Sequence, residues 1–287
     1  MTRSEYSAQY ERYLREVEDT IFSSLPATGL VAEAMRYAVT GGKRVRSVAV
    51  LAIAELLGGL NDDCRRAAAA LECVHAYSLV HDDLPCMDND DMRRGRPSCH
   101  RQFGETTALL AGDGLLTHAF SLIGDMASAE AGRDCARALS AAAGASGMIL
   151  GQEIDLSPER PQTLAQLNRL HSHKTGDMFA ACARLAAAAT GRGAHTETLE
   201  SFMRSIGLVF QIVDDVLDVT STDEVLGKPV HSDEKNGKVT YLSFMSINEC
   251  RELAGKLTAD AVAALKADFT GCDFLEELAN SLAVRVC

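Results

Sequence analysis

Proline spacing is the feature that most limits the folds open to this chain. Only six prolines occur, at positions 26, 85, 97, 158, 161 and 229, and they leave four long proline-free stretches. Proline removes a backbone donor and breaks helix interiors, so stretches without it are free to be helical. Alanine and leucine, both strong helix formers, dominate all four. The pattern predicts long helices over most of the chain.

The hydrophobic pattern also indicates helices. Apolar residues at 6, 10, 13, 17 and 21 recur in steps of three and four, which predicts one amphipathic helix. Segments 71–80 and 202–213 are apolar nearly all round and are typical of helices in the middle of a bundle. No alternating run bounded by hairpin turns is present, so strands are not expected.

One domain is expected for the whole chain. Glycine-containing breaks at 41–42, 58–59 and 191–193 are typical of helix connections, and no linker-like stretch divides the chain. We therefore predict an all-α, single-domain helical bundle over residues 1–287, with about ten or more helices of ordinary length.

Charge, cysteine content and hydropathy argue against several functions. Forty acidic against 28 basic residues give a net charge of −12, which disfavours a nucleic-acid-binding surface. Nine cysteines without a Cys-x-x-Cys pair favour reduced, buried thiols in a cytoplasmic protein over disulfides or zinc. The N-terminus is too charged for a signal peptide, and the uncharged stretch 138–152 is too short to span a membrane. No membrane insertion is expected.

The second of two aspartate clusters comprises Asp214, Asp215 and Asp218. Asp214 and Asp218 are four residues apart on a predicted helix, so their side chains share one face, with Asp215 adjacent. Their like charges repel and the preceding residues are apolar, so a bound cation is expected. Clustered carboxylates favour hard ions such as Mg²⁺, with phosphate oxygens completing the coordination shell.

The first cluster comprises Asp82, Asp83 and Asp88, followed by Asp90 and Asp91. Asp82 and Asp88 would not align on an unbroken helix, but the proline at position 85 predicts a distortion that brings Asp88 back toward Asp82. Arginines follow at positions 93, 94 and 96. Carboxylates beside arginines indicate a metal-bridged diphosphate site.

Basic residues elsewhere support the same interpretation. Either acidic cluster alone is more often a solvated helix end, whereas two clusters that follow apolar segments and lie near cations favour a functional site. Lys43 and Arg46 follow a glycine pair and are predicted to lie one helical turn apart at a helix start, which suits an anion. An ordinary surface helix start is the alternative. Lys174, Lys228 and Lys238 are individually weak signals.

Together these segments resemble the trans-isoprenyl diphosphate synthase family, which includes farnesyl and geranylgeranyl diphosphate synthases. The resemblance spans about residues 30–245, and two aspartate motifs in this order are highly specific. Ser47 and Leu242 depart from it, because many relatives have proline at these positions. The matching strings are GGKRVR (41–46), ECVHAYSLVHDDLPCMDNDDMRRGRPSCH (72–100), AGDGLLTHAF (111–120), GQEIDL (151–156), HKTG (173–176), GLVFQIVDDVLD (207–218), LGK and NGKVTY.

The resemblance implies that the two aspartate motifs face each other across a deep central cavity. It implies three Mg²⁺ ions, for which Mn²⁺ can substitute. Asp82 and Asp88 would bind two ions and Asp214 the third. Asp83 and Asp218 would support them, and Asp215 is also implied to be catalytic.

Basic side chains are implied to bind two diphosphates. The implied ligands of the allylic diphosphate are Arg93, Lys174, Thr175, Gln211 and Lys238, with Lys174 also catalytic and Lys228 also binding substrate. Those of isopentenyl diphosphate are Lys43, Arg46, His75 and Arg94.

The implied reaction is prenyl transfer. Neutralising the allylic diphosphate lets it leave, the resulting carbocation is attacked by the double bond of isopentenyl diphosphate, and a proton is lost. No nucleophilic side chain is needed, and no Ser/His/Asp-type motif occurs in the sequence. The family resemblance also implies a homodimer.

Tyr77 is the candidate for setting product length. It lies five residues before Asp82, so roughly 7.5 Å below it along a helix. An aromatic ring there could close the cavity floor, whereas Ser78 is too small to block it. The resemblance implies that an aromatic residue at this position goes with a C15 product, (2E,6E)-farnesyl diphosphate. The alternatives are that Tyr77 is a core aromatic and that the product is C20.

Two rival functions are weighed against this one. A terpene cyclase normally carries an Asn/Ser/Glu-type second motif and needs no site for a second diphosphate. The all-aspartate second motif and the Lys43/Arg46 site of this chain therefore disfavour a cyclase. A non-catalytic partner subunit of a prenyl synthase typically lacks the aspartates, whereas both motifs are intact here.

Overall fold

Most of the chain that the structure describes is helical, as the proline spacing predicts. The structure is a computed structural model that describes residues 1–221 and 238–284. The helices before the first aspartate loop are α1 (Arg3–Ser24), α2 (Leu30–Val39), α3 (Val45–Leu56) and α4 (Asp62–Asp82). Those that follow are α5 (Cys99–Phe103), α6 (Glu105–Gly124), α7 (Ala129–Ala143), α8 (Met148–Leu156), α9 (Leu164–His171), α10 (Asp177–Thr190), α11 (Thr196–Thr220), α12 (Ile247–Asp268) and α13 (Asp273–Ala283).

Local sequence sets several helix boundaries. Thr2 forms a capping box with Glu5 at the start of α1, and Ser246 does the same with Glu249 at the start of α12. The glycine breaks at 41–42, 58–59 and 191–193 all fall between helices, as expected. Prediction and structure therefore agree where the signal is local.

Helix α4 occupies the centre of the bundle. It packs against α1, α3, α6 and α10, and its segment 71–80 is buried apart from His75, Ser78 and Leu79, which are half-buried. His75 and Leu79 face the cavity described below. The near-continuous apolar run is thus explained by contact with helices on most sides and with a cavity on one.

A second apolar cluster supports α11. Val209, Ile212, Val213 and Val216 of this helix pack with Leu167 of α9 and with Tyr241, which begins a short 3₁₀ turn (Tyr241–Ser243). This cluster fixes the half of α11 that carries the second aspartate motif.

Two very short strands are an exception to the predicted absence of sheet. β1 (Met92–Arg93) pairs antiparallel with β2 (Arg96–Pro97), and positive φ angles at Arg94 and Gly95 make the two-residue turn between them. A ribbon this short leaves almost no alternating pattern in the sequence, which is why pattern analysis misses it.

Helix α6 is, among the described residues, the one helix long and apolar enough to cross a membrane by length and composition alone. Of its 18-residue apolar window, 39% is buried inside the protein. The buried side of α6 packs against α2 and α4. Leu109, Leu110 and Phe120 lie on the exposed side of the same helix. Core packing accounts for part of its hydropathy.

The described cysteines are all free thiols. Seven of them are buried, as the sequence predicts, but Cys86 is exposed, so for this residue the prediction of a buried thiol is wrong. Cys86 follows Pro85 in the loop after α4, where the chain has left the bundle core.

Candidate active site

A cavity of about 610 Å³ lies between α4, α11 and the segments that connect to them. Carboxylates of both aspartate motifs and a larger number of basic side chains line it, together with Leu79, Leu170, Phe210 and Leu217. The predicted site residues that line it are Lys43, Arg46, His75, Asp82, Asp88, Arg93, Arg94, Lys174, Gln211, Asp214, Asp215 and Lys238.

The first aspartate motif turns back on itself where α4 ends. The Asp88 N–H donates to the Asp82 carbonyl at 2.8 Å, and the Met87 N–H donates to the Leu84 carbonyl at 2.9 Å. Pro85 stands inside this loop, so the distortion expected from the proline is present. The result is that Asp82 and Asp88 both line the cavity.

Burial dominates the electrostatics of Asp82. It raises the pKa of this carboxyl to about 6, although Lys174 acts in the opposite direction, and the nearby Asp88 raises the pKa further. Gln152 of α8 donates from Nε2 to Asp82 Oδ1 at 2.7 Å. A buried carboxylate beside a second carboxylate is stabilised by a cation, so this pair fits a metal ion.

Asp83 faces away from the cavity and pairs with Arg93. The Arg93 Nε atom lies 3.0 Å from Asp83 Oδ1, and the Arg93 Nη2 atom contacts the same oxygen. Burial raises the pKa of Asp83 despite this partner. Asp83 is therefore placed to hold Arg93 at the cavity wall, where its guanidinium can reach an anion.

The side chains of the second motif do not all face the cavity. Asp214 and Asp215 line the cavity, whereas Asp218 is buried and does not. Asp215 accepts hydrogen bonds from Gln211 Nε2 at 2.9 Å and from the Tyr241 N–H at 2.8 Å. Asp215 thus ties α11 to the chain segment that carries Lys238.

Lys174 lies in a π-helical turn, Ser172–Gly176, between α9 and α10. Helix α8 approaches this turn so closely that a Cβ atom on Gly151 would lie 2.1 Å from the Lys174 backbone nitrogen. The Lys174 Nζ atom is 2.5 Å from Asp155 Oδ2, also on α8. The glycine therefore lets α8 bring a carboxylate to the lysine.

Lys238 belongs to the same group of charged side chains. Its Nζ atom lies 2.9 Å from Asp88 Oδ2 and 3.9 Å from Asp155 Oδ2. Burial acts to raise the pKa of Asp155, but Lys174 and Lys238 together lower it. Asp155 is thus an ionised carboxylate between two lysines that were predicted to bind diphosphate.

A buried carboxylate, Glu72, organises a second group of basic side chains at the cavity. Glu72 accepts from Arg44 Nη1 at 2.9 Å and from the Ser47 hydroxyl at 2.6 Å. Burial alone would raise the pKa of Glu72, but Arg44, His75 and the Ser47 hydrogen bond outweigh burial and lower it to about 2. Ser47, which the sequence marks as a departure from the family resemblance, supplies a hydroxyl donor to this carboxylate.

Arg46 and His75 lie beside this network. Arg46 Nη1 is 3.4 Å from His75 Nε2, and the guanidinium carbon lies 4.6 Å from the ring centroid of Phe179. Within residues 1–221 and 238–284, no ion pair joins Arg46 to a carboxylate. Burial, and then Arg46, lower the pKa of His75 well below its usual value. Arg46 is therefore available to an incoming anion.

The loop before α3 is joined to the β-turn. Arg94 Nη1 donates to the Gly41 carbonyl at 2.8 Å, and a Cβ on Gly42 would lie 2.7 Å from the Arg94 guanidinium carbon. Lys43 precedes α3, which begins at Val45, so the prediction that Lys43 and Arg46 lie one helical turn apart on a helix is wrong. Both nevertheless line the cavity because the chain turns at Arg44 (φ 52°).

Three further predicted residues, Thr175, Tyr77 and Ser78, do not line the cavity. Thr175 is buried and donates to Gln211 Oε1 at 3.3 Å. Tyr77 is buried with its ring edge against His81, at a centroid distance of 5.7 Å, and neither Tyr77 nor Ser78 lines the cavity. Lys228 lies outside the described residues.

Comparison with known proteins gives the family. A family model described as polyprenyl synthetase matches residues 28–269. The chain belongs to the polyprenyl synthetase family.

Individual relatives agree with the assignment to polyprenyl synthetases. The farnesyl diphosphate synthase of Escherichia coli (strain K12) is 43% identical over 244 residues, covering 82% of each chain. The heterodimeric geranylgeranyl pyrophosphate synthase large subunit 1, chloroplastic, of Arabidopsis thaliana is 43% identical over 242 residues, covering 80% of this chain and 65% of that protein. A solved structure of geranyltransferase from Helicobacter pylori, complexed with magnesium and isoprenyl diphosphate, superposes with a TM-score of 0.82 at 31% identity, covering 96% of each chain.

The donor set of the cavity suits Mg²⁺ bound together with a substrate. The groups available from both motifs are carboxylate oxygens, which hard divalent cations prefer. In the described part of the chain, no three carboxylate, imidazole or thiolate groups come together as a closed metal site. Magnesium is usually held by one or two carboxylates, with phosphate oxygens and water completing its shell, so these residues fit the ion.

Sequence analysis missed six polar residues of this site. They are Arg44 and Glu72, Gln152 and Asp155 on α8, His171 beside Lys174, and Thr240. Glu72 could have been noticed as a charged residue in an otherwise apolar helical run, and a glycine in the string GQEIDL hinted at a close approach. His171 carried no such signal.

Proposed function

We propose that this protein is a short-chain trans-prenyl diphosphate synthase that makes (2E,6E)-farnesyl diphosphate. It condenses isopentenyl diphosphate with dimethylallyl diphosphate and then with geranyl diphosphate. The observation that carries this proposal is that Asp82, Asp88 and Asp214 line one cavity together with Lys174 and Lys238. Carboxylates for cations and lysines for phosphates then meet around a single diphosphate.

Carboxylates of the two motifs hold Mg²⁺ in this proposal. Asp82 and Asp88 hold two ions and Asp214 a third, with Asp83 and Asp218 acting as supports. Bound Mg²⁺ neutralises charge on the leaving diphosphate. Gln152 keeps Asp82 oriented through its 2.7 Å hydrogen bond, and Asp83 keeps Arg93 at the wall.

Two groups of basic side chains hold the two diphosphates in the cavity. Arg93, Lys174 and Lys238 bind the allylic diphosphate, and Gln211, fixed by Thr175 and Asp215, assists them. The isopentenyl diphosphate is bound by Lys43, Arg46, His75 and Arg94. Glu72 is occupied by Arg44 and Ser47, which leaves Arg46 to the substrate.

The chain supplies shape and charge, and the substrates supply the reacting atoms. When the allylic C–O bond breaks, its electron pair leaves with the diphosphate and an allylic cation remains. The double bond of isopentenyl diphosphate attacks this cation, and a proton passes to the departing diphosphate. Leu79, Leu170 and Phe210 exclude water from the allylic cation. The Phe210 ring can also stabilise the positive charge by a cation–π interaction.

Product length rests on Tyr77. Its ring is buried one helical turn from His81, on the helix that ends at Asp82. A growing C15 chain that follows α4 downward meets this ring. Geranylgeranyl diphosphate is the second candidate product, because the relative from Arabidopsis thaliana named for it matches this chain at 43% identity.

The proposal extends to the organisation of the protein. Residues 1–287 form one domain, and two copies form a homodimer in the cytoplasm. The exposed Leu109, Leu110 and Phe120 on α6 offer an apolar surface for that association. Light scattering at several concentrations tests it, and a monomer at every concentration would refute the dimer.

Product analysis tests the proposed reaction. Purified protein receives isopentenyl diphosphate, either dimethylallyl or geranyl diphosphate, and Mg²⁺, with EDTA as the control. A C15 product that disappears with EDTA is expected. A Mg²⁺-dependent C20 product would replace farnesyl by geranylgeranyl diphosphate, and no elongation from either starter would refute the synthase function.

A further inference from the structure

His171 is the last residue of α9 and lines the cavity, although only 8% of its surface is exposed. Neither of its ring nitrogens has a hydrogen-bond partner among the residues that the structure describes. Buried polar atoms are nearly always paired, because leaving them unpaired costs free energy. A buried imidazole with two unused nitrogens at a cavity wall therefore calls for a partner that enters the cavity.

Stacking on Tyr241 holds the His171 ring in place. The two ring centroids are 5.6 Å apart and the planes differ by only 19°. Tyr241 is itself fixed, because its N–H donates to Asp215 at 2.8 Å and its hydroxyl donates to Asn168. The stacked face of the imidazole is thus covered. Both ring nitrogens are buried as well, so a partner from the cavity reaches them only when the adjoining wall shifts on binding.

The charges around His171 belong to the proposed diphosphate end of the cavity. Asp155 and Lys174 are the two charged groups that interact with the ring, and they are joined to each other at 2.5 Å. Burial lowers the pKa of His171 to about 4, so the ring is neutral near pH 7. A neutral imidazole has one N–H donor and one nitrogen acceptor. An anion held by Lys174 would meet a ready donor.

We infer that His171 is a further ligand of the allylic diphosphate: a ring N–H donates to a phosphate oxygen of the group held by Lys174 and Lys238. This inference rests on the proposed function. It differs from a general packing role, because the nitrogens and not the ring as a whole are required. Water in place of phosphate at this nitrogen is the competing explanation.

Replacing His171 by phenylalanine separates a contact with phosphate from a contact with water or a packing role. Phenylalanine keeps a stacking ring and removes both nitrogens, so pyrophosphate binding weakens only if a nitrogen contacts phosphate. Titration calorimetry with inorganic pyrophosphate and Mg²⁺ on the full chain gives the readout. We expect His171→Phe to weaken pyrophosphate binding about tenfold, as for loss of a hydrogen bond to a charged group, without lowering the melting temperature. Unchanged affinity would overturn the inference.

A matched control comes from the same π-helical turn. The His173 Nδ1 atom is already 2.9 Å from Asp177 Oδ2, and His173 does not line the cavity. His173→Phe is therefore expected to leave pyrophosphate affinity unchanged. An equal loss in both variants would mean that the turn itself is disturbed, and would overturn the specific role of His171.

Nitrogen NMR of ¹⁵N-histidine-labelled wild-type protein tests the contact without relying on a stable variant. Addition of Mg²⁺ and pyrophosphate should shift a ring nitrogen of His171, and no shift would contradict the inference. The proposed function fails separately. Wild-type protein that binds pyrophosphate through His171 but never elongates refutes the synthase alone, whereas elongation with normal binding by His171→Phe refutes only the inference.

Discussion

Lys238 Nζ lies 2.9 Å from Asp88 Oδ2, so an ion pair joins the first aspartate motif to a residue 150 positions further along the chain. Asp88 is a proposed metal ligand and Lys238 a proposed phosphate ligand. In the absence of substrate each therefore balances the charge of the other. A diphosphate with its cations would replace both halves of the pair.

Removal of the Lys238 charge should affect one substrate only. We expect Lys238→Gln to raise the KM for the allylic diphosphate about tenfold, as for loss of a charge-assisted hydrogen bond, and to leave the KM for isopentenyl diphosphate within about twofold. Steady-state kinetics with each substrate varied in turn gives both values. Lys256→Gln, at an exposed position of α12, is the control. An equal rise in both KM values would contradict the assignment of Lys238.

The contact between Gly151 and Lys174 should not tolerate a methyl group. A Cβ on Gly151 would lie 2.1 Å from backbone nitrogen, so Gly151→Ala must separate α8 from the π-helical turn. We expect destabilisation of roughly 1–3 kcal/mol and a marked loss of kcat/KM, because Asp155 and Lys174 move apart. Gly255→Ala has no atom within 4 Å of the new Cβ and should be neutral or stabilising. Thermal unfolding of both variants compares them, and equal behaviour would contradict the packing argument.

Stability at low pH should depend on Glu72. Its pKa in the folded protein is about 2, below the ordinary value of 4.5, so its contribution is present above about pH 4.5 and is lost as the pH falls toward 2. The difference in free energy of unfolding between wild type and Glu72→Gln should shrink by roughly 1 kcal/mol for each pH unit below about 4.5. Urea unfolding between about pH 5 and pH 3 measures it. A constant difference would mean that Glu72 is not held ionised by Arg44 and Ser47.

Product length should respond to Tyr77 and not to its neighbour. If the Tyr77 ring closes the path of the growing chain along α4, Tyr77→Ala should shift the main product from C15 to C20 or longer. Ser78→Ala, one residue nearer the aspartates, should leave the product unchanged. Chromatography of the dephosphorylated products separates these lengths. The same C15 product from Tyr77→Ala would assign the ring a packing role only.

The fold was predictable because its signals are local. Proline positions, apolar spacing and glycine breaks each act within a few residues of chain, and they place the helices without knowledge of their partners. Each aspartate motif could likewise be recognised from a few neighbouring residues, and Pro85 indicated the turn that brings Asp88 to Asp82.

The parts of the site that escaped prediction depend on which helices are neighbours. Asp155 reaches Lys174 only because Gly151 lets α8 touch the π-helical turn. Lys43 was misplaced because a left-handed residue at Arg44, and not a longer helix, turns the chain into the cavity. Neither fact is contained in residue spacing. Tertiary packing decides both.

Metal positions test the central claim most directly. The claim is that both aspartate motifs act on one diphosphate through divalent cations. Crystals grown with Mn²⁺ and a non-reactive thio analogue of geranyl diphosphate would show the metals by anomalous scattering. The account predicts peaks beside Asp82 and Asp88 and a further peak beside Asp214, all bridged by the same diphosphate. Metal at one motif alone, or a diphosphate bound without metal, would contradict it.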